Sequence, residues 1–249
     1  MKVAWEPGVE HALRKIAVLL ILLRGTLIVL LALLEFKGYI WHTSWFAKPY
    51  EVRGLDVSHY QGDIDWQRLR TSTDFQFVYI KATEGHDFID FKFSSNWNKA
   101  KASGFLTGAY HFFSTRSSGA EQAQKYIEIV PKDSSNLPPV IDIEIDLNRN
   151  VDTIRSELIA LSQTLERHYQ RKPILYVTYA TYDQYVSGSF EDHEIWIRDV
   201  LKHPNLKDGR DWAFWQYGNR GHVPGIDAYV DMNVFRGSQE AFDQTFKRS

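Results

Sequence analysis

From Arg53 onward the chain alternates short apolar runs with longer helix-spaced ones, and this rhythm limits the available folds more than any other feature. Runs at Arg53–Val57, Phe77–Thr83, Leu106–Phe113, Val140–Ile145, Ile174–Thr178, Glu194–Val200, Ala213–Tyr217 and Tyr229–Phe235 read as strands. Helical spacing occurs near Trp66–Arg70, Phe91–Ala102, Gly119–Ile129, Thr153–Tyr169 and Tyr182–Tyr185. The last three connections are too short or irregular for full helices. Strands alternating with helices imply a mostly parallel sheet. Eight strands suggest closure into a (β/α)-type barrel, incomplete in its last third. An open doubly wound sheet is the alternative, but no glycine-rich nucleotide fingerprint follows the first strand.

The fourth strand carries the chemistry. In Pro138-Pro139-Val140-Ile141-Asp142-Ile143-Glu144-Ile145-Asp146, alternation puts Asp142 and Glu144 on one face and the isoleucines on the other. Two neighbouring carboxylates with poor solvation raise each other's pKa, which makes one of them a proton donor near neutral pH. A solvated acidic edge strand is the bland reading of the same pattern. In a barrel of this type the active site lies at the C-terminal ends of the strands. Asp56 ends the first strand, Glu84 follows the second, and Asp231 lies in the eighth, beside the first if the barrel closes. Carboxylates from several strands then converge on one mouth.

Upstream, residues 16–34 read IAVLLILLRGTLIVLLALL, an apolar run broken only around Arg24. Its length suits a helix crossing a ~30 Å hydrocarbon core. A signal peptide and a buried soluble helix are the rivals. The run is longer than a usual signal core, and no clear small-residue cleavage site follows it, so an uncleaved anchor is expected. The chain thus divides into a tail at 1–15, a transmembrane helix at 16–34, a linker at 35–52, a catalytic barrel at 53–240 and a C-terminal tail at 241–249. The net charge of −2 gives no support to nucleic-acid binding, and with no cysteine there is no disulfide framework. The nine histidines are scattered rather than clustered, so no metal site and no cofactor are expected. His111, within Tyr-His-Phe-Phe, reads as a hydrogen-bonded barrel residue.

The motifs, taken in order, resemble those of the family 25 glycoside hydrolases, the muramidases or lysozymes of bacteria, phages and fungi. Gly54-Leu55-Asp56-Val57-Ser58-His59-Tyr60-Gln61-Gly62 resembles the family's opening, and Phe77-Val78-Tyr79-Ile80-Lys81-Ala82-Thr83-Glu84-Gly85 its second strand. Gly108-Ala109-Tyr110-His111-Phe112 resembles the third strand, and Asp142-Ile143-Glu144 the Asp-x-Glu motif. Trp215-Gln216-Tyr217 and Val230-Asp231-Met232-Asn233-Val234-Phe235 resemble the closing strands. The resemblance implies an irregular (β/α)5β3 barrel and cleavage of the β-1,4 bond between N-acetylmuramic acid and N-acetylglucosamine, with peptidoglycan glycan strands as the partner. It makes Glu144 the general acid, with Asp142, Asp56 and Asp231 as further catalytic acids. Lys81, Glu84, Tyr110, Trp215, Gln216 and Asn233 fall on groove positions, and Tyr176 or Tyr179 on a family tyrosine. The strand-six segment departs from the pattern by carrying Arg198 and Asp199.

With Glu144 as donor, the three aspartates are expected to remain largely ionised. Retaining, inverting and substrate-assisted routes all remain open, because residues two apart on a strand do not fix the carboxyl separation. The competing non-enzyme reading is a membrane-tethered peptidoglycan-binding protein. Polymeric peptidoglycan lies outside the bacterial inner membrane, so the expected placement is a single-pass protein of that membrane with its barrel facing outward.

Overall fold

The computed structural model describes residues 7–246. The chain forms two compact units, Met1–Trp41 and His42–Ser249. The first is built on helix α1 (Pro7–Phe36), which is longer at both ends than the apolar run. Within its stretch His11–Phe36 the most apolar 18 residues reach a mean hydropathy of 2.8, and none of those is buried. At 1.5 Å per residue those 26 residues span roughly 39 Å, enough to cross a bilayer. A helix of this kind near an N-terminus serves equally as an anchor or a signal sequence. It ends where Gly38, at φ 72°, turns the chain so that the Tyr39 amide donates to the Leu34 carbonyl.

The second unit is a closed barrel. Its strands are β1 (Arg53–Val57), β2 (Phe77–Glu84), β3 (Phe88–Ile89), β4 (Leu106–Phe112), β5 (Val140–Ile143), β6 (Ile174–Val177), β7 (Ile195–Arg198), β8 (Phe214–Val223) and β9 (Ile226–Phe235). The sheet runs β1-β9-β8-β7-β6-β5-β4-β2-β3, and pairing of β1 with β2 closes it, leaving β3 as a short arm on the end of β2. Strands β1, β2 and β4 to β8 are parallel; β9 is antiparallel to both β8 and β1. Helices α3 (Trp66–Ser72), α4 (Phe93–Ala102), α5 (Gly119–Ile129) and α6 (Val151–Tyr169) fill the early connections. Helix α7 (Tyr179–Thr181) runs into a π turn at Tyr182–Val186, and beyond β7 no helix lies between the strands. The expected irregular barrel is therefore present.

Local chemistry sets the helix ends. Asp65 caps α3 by accepting from the Arg68 amide at 2.9 Å, and Ser118 and Glu121 form a reciprocal capping box on α5. Helices α5 and α6 approach so closely at Gly119 that a Cβ there would lie 1.9 Å from the Glu157 carbonyl oxygen. Only glycine fits that crossing.

Two segments differ from the sequence expectation. The 35–52 linker contains helix α2 (Thr43–Ala47), with Thr43, Ala47 and Val52 buried against the barrel. Five residues are too few to show a helical period. The expected tail at 241–249 begins inside helix α8 (Gln239–Phe246). Phe242 and Phe246 of α8 are buried among Phe77, Phe214 and Phe235, closing the lower end of the barrel.

The inward face of each strand changes character along its length. On β2 it reads Phe77, Tyr79, Lys81; on β5, Val140 then Asp142; on β7, Trp196 then Arg198. The lower layers are apolar and packed, so the polar residues are lifted to the C-terminal mouth. Gly54 and Gly108 make room for this packing: a Cβ on either would lie within 2.5 Å of the Phe77 or Tyr79 ring.

Candidate active site

A cleft enclosing about 580 Å³ of open space lies at that mouth. Asp56, Asp142, Glu144 and Asp231 line it together with Lys81, Tyr110 and Tyr176. Asp56 and Asp231 are direct cross-strand partners on β1 and β9. Asp142 on β5 is flanked in register by Phe112 on β4 and Tyr176 on β6. Glu144 sits just past the end of β5, its side chain 38 % exposed, with Arg198 Nε 4.0 Å from Oε1.

Two short relays hold the site from below. Trp196 Nε1 donates to Asn233 Oδ1 at 3.0 Å, and Asn233 Nδ2 donates to Asp56 Oδ1 at 2.7 Å. The first bond fixes the orientation of the Asn233 amide, so that its NH2 faces the acid. Tyr176 Oη donates to Gln216 Oε1 at 2.6 Å. Asp142 Oδ1 is buried and has no hydrogen-bond partner among the described residues. A buried carboxylate oxygen left without a donor is costly, and such atoms mark sites where a ligand supplies the missing group.

All four acids are pushed above their ordinary pKa. For Asp56, burial is the main cause, followed by the charge of Asp231, while the Asn233 hydrogen bond pulls the other way. For Asp142, burial and then Glu144 raise it, against Lys81. Burial raises Glu144 against the opposing pull of Arg198. Asp231 is raised by burial to about 6, with Arg198 and a hydrogen bond from Asp56 opposing. Burial and mutual repulsion thus work against the expected ionisation of the three aspartates as well as that of Glu144. Packed carboxyls share protons and titrate as a set, so the cluster carries fewer negative charges than its four acids would suggest.

The remaining groove residues separate by strand direction. Lys81 and Glu84 form an ion pair at 2.8 Å, and only Lys81 lines the cleft. Gln216 and Asn233 face inward but lie beneath the cleft, as supports. Trp215 points away from it: Nε1 donates to the Asp199 carbonyl at 2.7 Å, and the ring packs beside Trp212 and Tyr50. Period two explains the split, since Gln216 faces in and its neighbour must face out. Of the two tyrosines considered, Tyr176 lines the cleft, whereas Tyr179 donates to Asp199 at 2.8 Å.

Ser58, Tyr60, Phe112, Val140 and Trp196 also line the cleft, and Arg198 faces Glu144. Phe112 was legible as the next inward residue after Tyr110, and Trp196 and Arg198 as an alternating pair. His111 is fully buried, with Nδ1 at 2.8 Å from Thr83 Oγ1 and Nε2 at 2.9 Å from Gln122 Oε1; burial lowers its pKa to about 4. It is a neutral structural residue. Among the described residues no group of three or more His, Asp or Glu is placed to hold a metal ion.

Residues 55–226 match the family model for glycosyl hydrolases family 25. The chain is 35 % identical over 195 residues to the uncharacterized protein YegX of Escherichia coli K12, covering 77 % of this chain and 72 % of that one. It is 32 % identical over 203 residues to lysozyme M1 of Streptomyces globisporus, covering 75 % and 68 %. A solved family 25 glycosyl hydrolase from Bacillus anthracis superposes with a TM-score of 0.76 at 44 % identity, covering 79 % of this chain and 94 % of that one. Motif order, barrel topology, the acidic cleft and these likenesses agree: the chain belongs to family 25 of the glycosyl hydrolases.

Proposed function

We propose that the protein is a peptidoglycan muramidase that hydrolyses the β-1,4 bond between N-acetylmuramic acid and N-acetylglucosamine, with Glu144 as general acid. The observation that carries this reading is the placement of Glu144. It is the acid at the open rim of a cleft whose other acids are more deeply set, and its pKa is raised. The raised pKa favours its protonated form, and the rim position lets it reach a glycosidic oxygen. Lysozyme M1, among the relatives, fits this substrate class.

As the leaving oxygen takes the Glu144 proton, positive charge grows at the anomeric carbon. The residual negative charge shared by Asp56, Asp142 and Asp231 lies on that path and stabilises it. The unpartnered Asp142 Oδ1 is an acceptor suited to the N–H of a sugar N-acetyl group. Oriented in this way, the acetyl oxygen can attack the anomeric carbon, which favours the substrate-assisted route. Tyr176, held by Gln216, and Lys81, held by Glu84, flank the sugar. Helix α1 serves as an uncleaved anchor in the bacterial inner membrane, with the barrel on the outer side, where polymeric peptidoglycan is found.

The test is product analysis. Residues 42–249 are incubated with purified peptidoglycan beside Glu144→Gln, and the reduced products are read by mass. Muramic acid at reducible ends, absent with the variant, is the expected outcome. Anhydro ends would replace hydrolysis by lytic transglycosylation. Retention on peptidoglycan without any release would replace the enzyme by a tethered binding protein.

A further inference from the structure

We propose that the catalytic unit carries its own membrane-docking face, formed by Trp45 and Phe46 of α2 together with Leu201, and that its occupant is an anionic lipid surface. The tether argument below rests on α1 being kept as an anchor. Trp45 is 82 % exposed, Leu201 75 % and Phe46 50 %. Soluble surfaces seldom hold large apolar side chains so openly in one place without a partner.

The three residues sit on two segments that are fastened together. His42 Nε2 lies 2.7 Å from the Leu201 carbonyl oxygen, and the Trp45 amide donates to the His42 carbonyl. Thr43 Oγ1 donates to the Tyr217 carbonyl, seating α2 on β8. On the other segment, Asp199 Oδ1 accepts from the Leu201 and Lys202 amides at 2.9 and 3.0 Å, which fixes the loop that presents Leu201. The buried side of α2 is small, Thr43 and Ala47, so its aromatic side faces outward by construction rather than by fraying.

Chemistry and chain length select lipid over a protein partner. Trp and Phe beside lysines is the composition of a membrane-interfacial surface, and Lys48 and Lys202 are both exposed here. Their ammonium groups complement anionic headgroups. Six residues, and so seven Cα-to-Cα steps, separate Phe36, the last of α1, from Thr43, the first of α2. At 3.3–3.6 Å per residue, α2 starts at most roughly 25 Å from the end of α1, however the two units are arranged. If α1 spans a bilayer, this face cannot lie far from its surface. Leu201 follows the C-terminal end of β7, the same end of the barrel as the cleft. Docking would therefore hold the cleft close to the lipid, next to the glycan nearest the membrane.

The experiment uses residues 42–249. This unit has a closed barrel and its own core, and the Bacillus anthracis structure consists almost wholly of the matching region. The unit is sedimented with phosphatidylcholine vesicles containing about one-third phosphatidylglycerol, beside the double variant Trp45→Ser, Leu201→Ser. Neither residue touches the cleft, so hydrolysis of soluble peptidoglycan fragments serves as the folding control. The expected result is vesicle binding by the wild type that weakens by about tenfold or more in the variant, with unchanged hydrolysis. Wild type left in the supernatant, or equal binding by a hydrolytically intact variant, overturns the proposal. Alkaline carbonate extraction of the full chain separates the readings. Release of the full chain would sink the anchor while leaving vesicle binding of the unit to decide this face. Neither readout depends on which bond is cut.

Discussion

The lower and upper halves of the barrel interior are built by the same strands and obey opposite rules. Below, Phe77, Phe214, Phe235, Phe242 and Phe246 meet edge to face or tilted, with centroids 5.2–5.8 Å apart, and every inward surface is apolar. Two to four residues along the strands, Asp56, Asp142 and Asp231 replace the rings, and among the described residues Asp142 Oδ1 has no hydrogen-bond partner. The lower half stabilises the fold through buried area and ring packing. The upper half costs stability, because it collects like charges in a poorly solvated place. A barrel closed from below by α8 can tolerate that cost, and its consequence is that the acids' pKa values are raised.

Two substitutions should separate the halves sharply. Glu144→Gln removes the proposed general acid at the rim and should lower kcat/KM on peptidoglycan by about a hundred- to ten-thousandfold, the usual range for such a group. The urea midpoint should change little, since the side chain is partly exposed. Phe77→Ala should do the reverse. It deletes a fully buried ring that touches Tyr79, Phe214 and Phe242, at a cost of about 3–5 kcal/mol in urea unfolding. Activity per folded molecule should stay near wild type. Equal stability losses for the two variants would break the division between the halves.

The same contrast explains what was legible in the sequence. Asp142 and Glu144 stand out because isoleucines alternate with them, and Asp56 because it ends a strand. Their meeting with Asp231 needed only barrel closure. Trp215 was harder: Ala213–Tyr217 carries large rings on both faces, Phe214 on one and Trp215 and Tyr217 on the other, since a barrel buries its strands inside and out, so ring periodicity alone does not tell the cleft side from the outer wall. Trp196 lay in a strand of the same kind. Helices α2 and α8 are too short for period, and what fixes them is tertiary: Thr43 bonded to Tyr217, and Phe242 and Phe246 entering the barrel. The spread of protons over the acids was illegible for another reason. It depends on burial and on charges from five strands at once.

A pH experiment sharpens the comparison from the upper half alone. The folded pKa of Asp231 is about 6, above its unfolded value near 4. The folded state therefore binds more protons in that window. Its contribution to stability is full below about pH 4 and is lost as pH rises through about 6. The unfolding free energy from urea titration should fall across that interval, by an amount on the order of 1–3 kcal/mol. Asp231→Asn should flatten the slope and be the more stable protein at neutral pH, with activity reduced. Phe77→Ala should keep the wild-type slope. An unchanged slope in Asp231→Asn would mean that the proton uptake resides in Asp56 or Asp142 instead.

The smallest effect concerns the residue that joins the halves. Asn233 is fully buried, accepts a hydrogen bond from the Trp196 indole below and donates one to Asp56 above. Asn233→Ala leaves the indole N–H without its acceptor and Asp56 Oδ1 without its donor. The stability loss should be about 1–2 kcal/mol, the cost of unsatisfied buried partners. The Asp56 pKa should rise further, because the one hydrogen bond holding it down is gone. If Asp56 must ionise for catalysis, the acidic limb of the kcat/KM profile should move to higher pH. Asn233→Asp provides the contrast: it can still accept from Trp196, but its ionised form adds charge beside Asp56. A profile displaced in the alanine variant and displaced further in the aspartate variant would place Asn233 in control of the proton on Asp56. Two unshifted profiles with the same stability loss would make it a packing residue of the lower half.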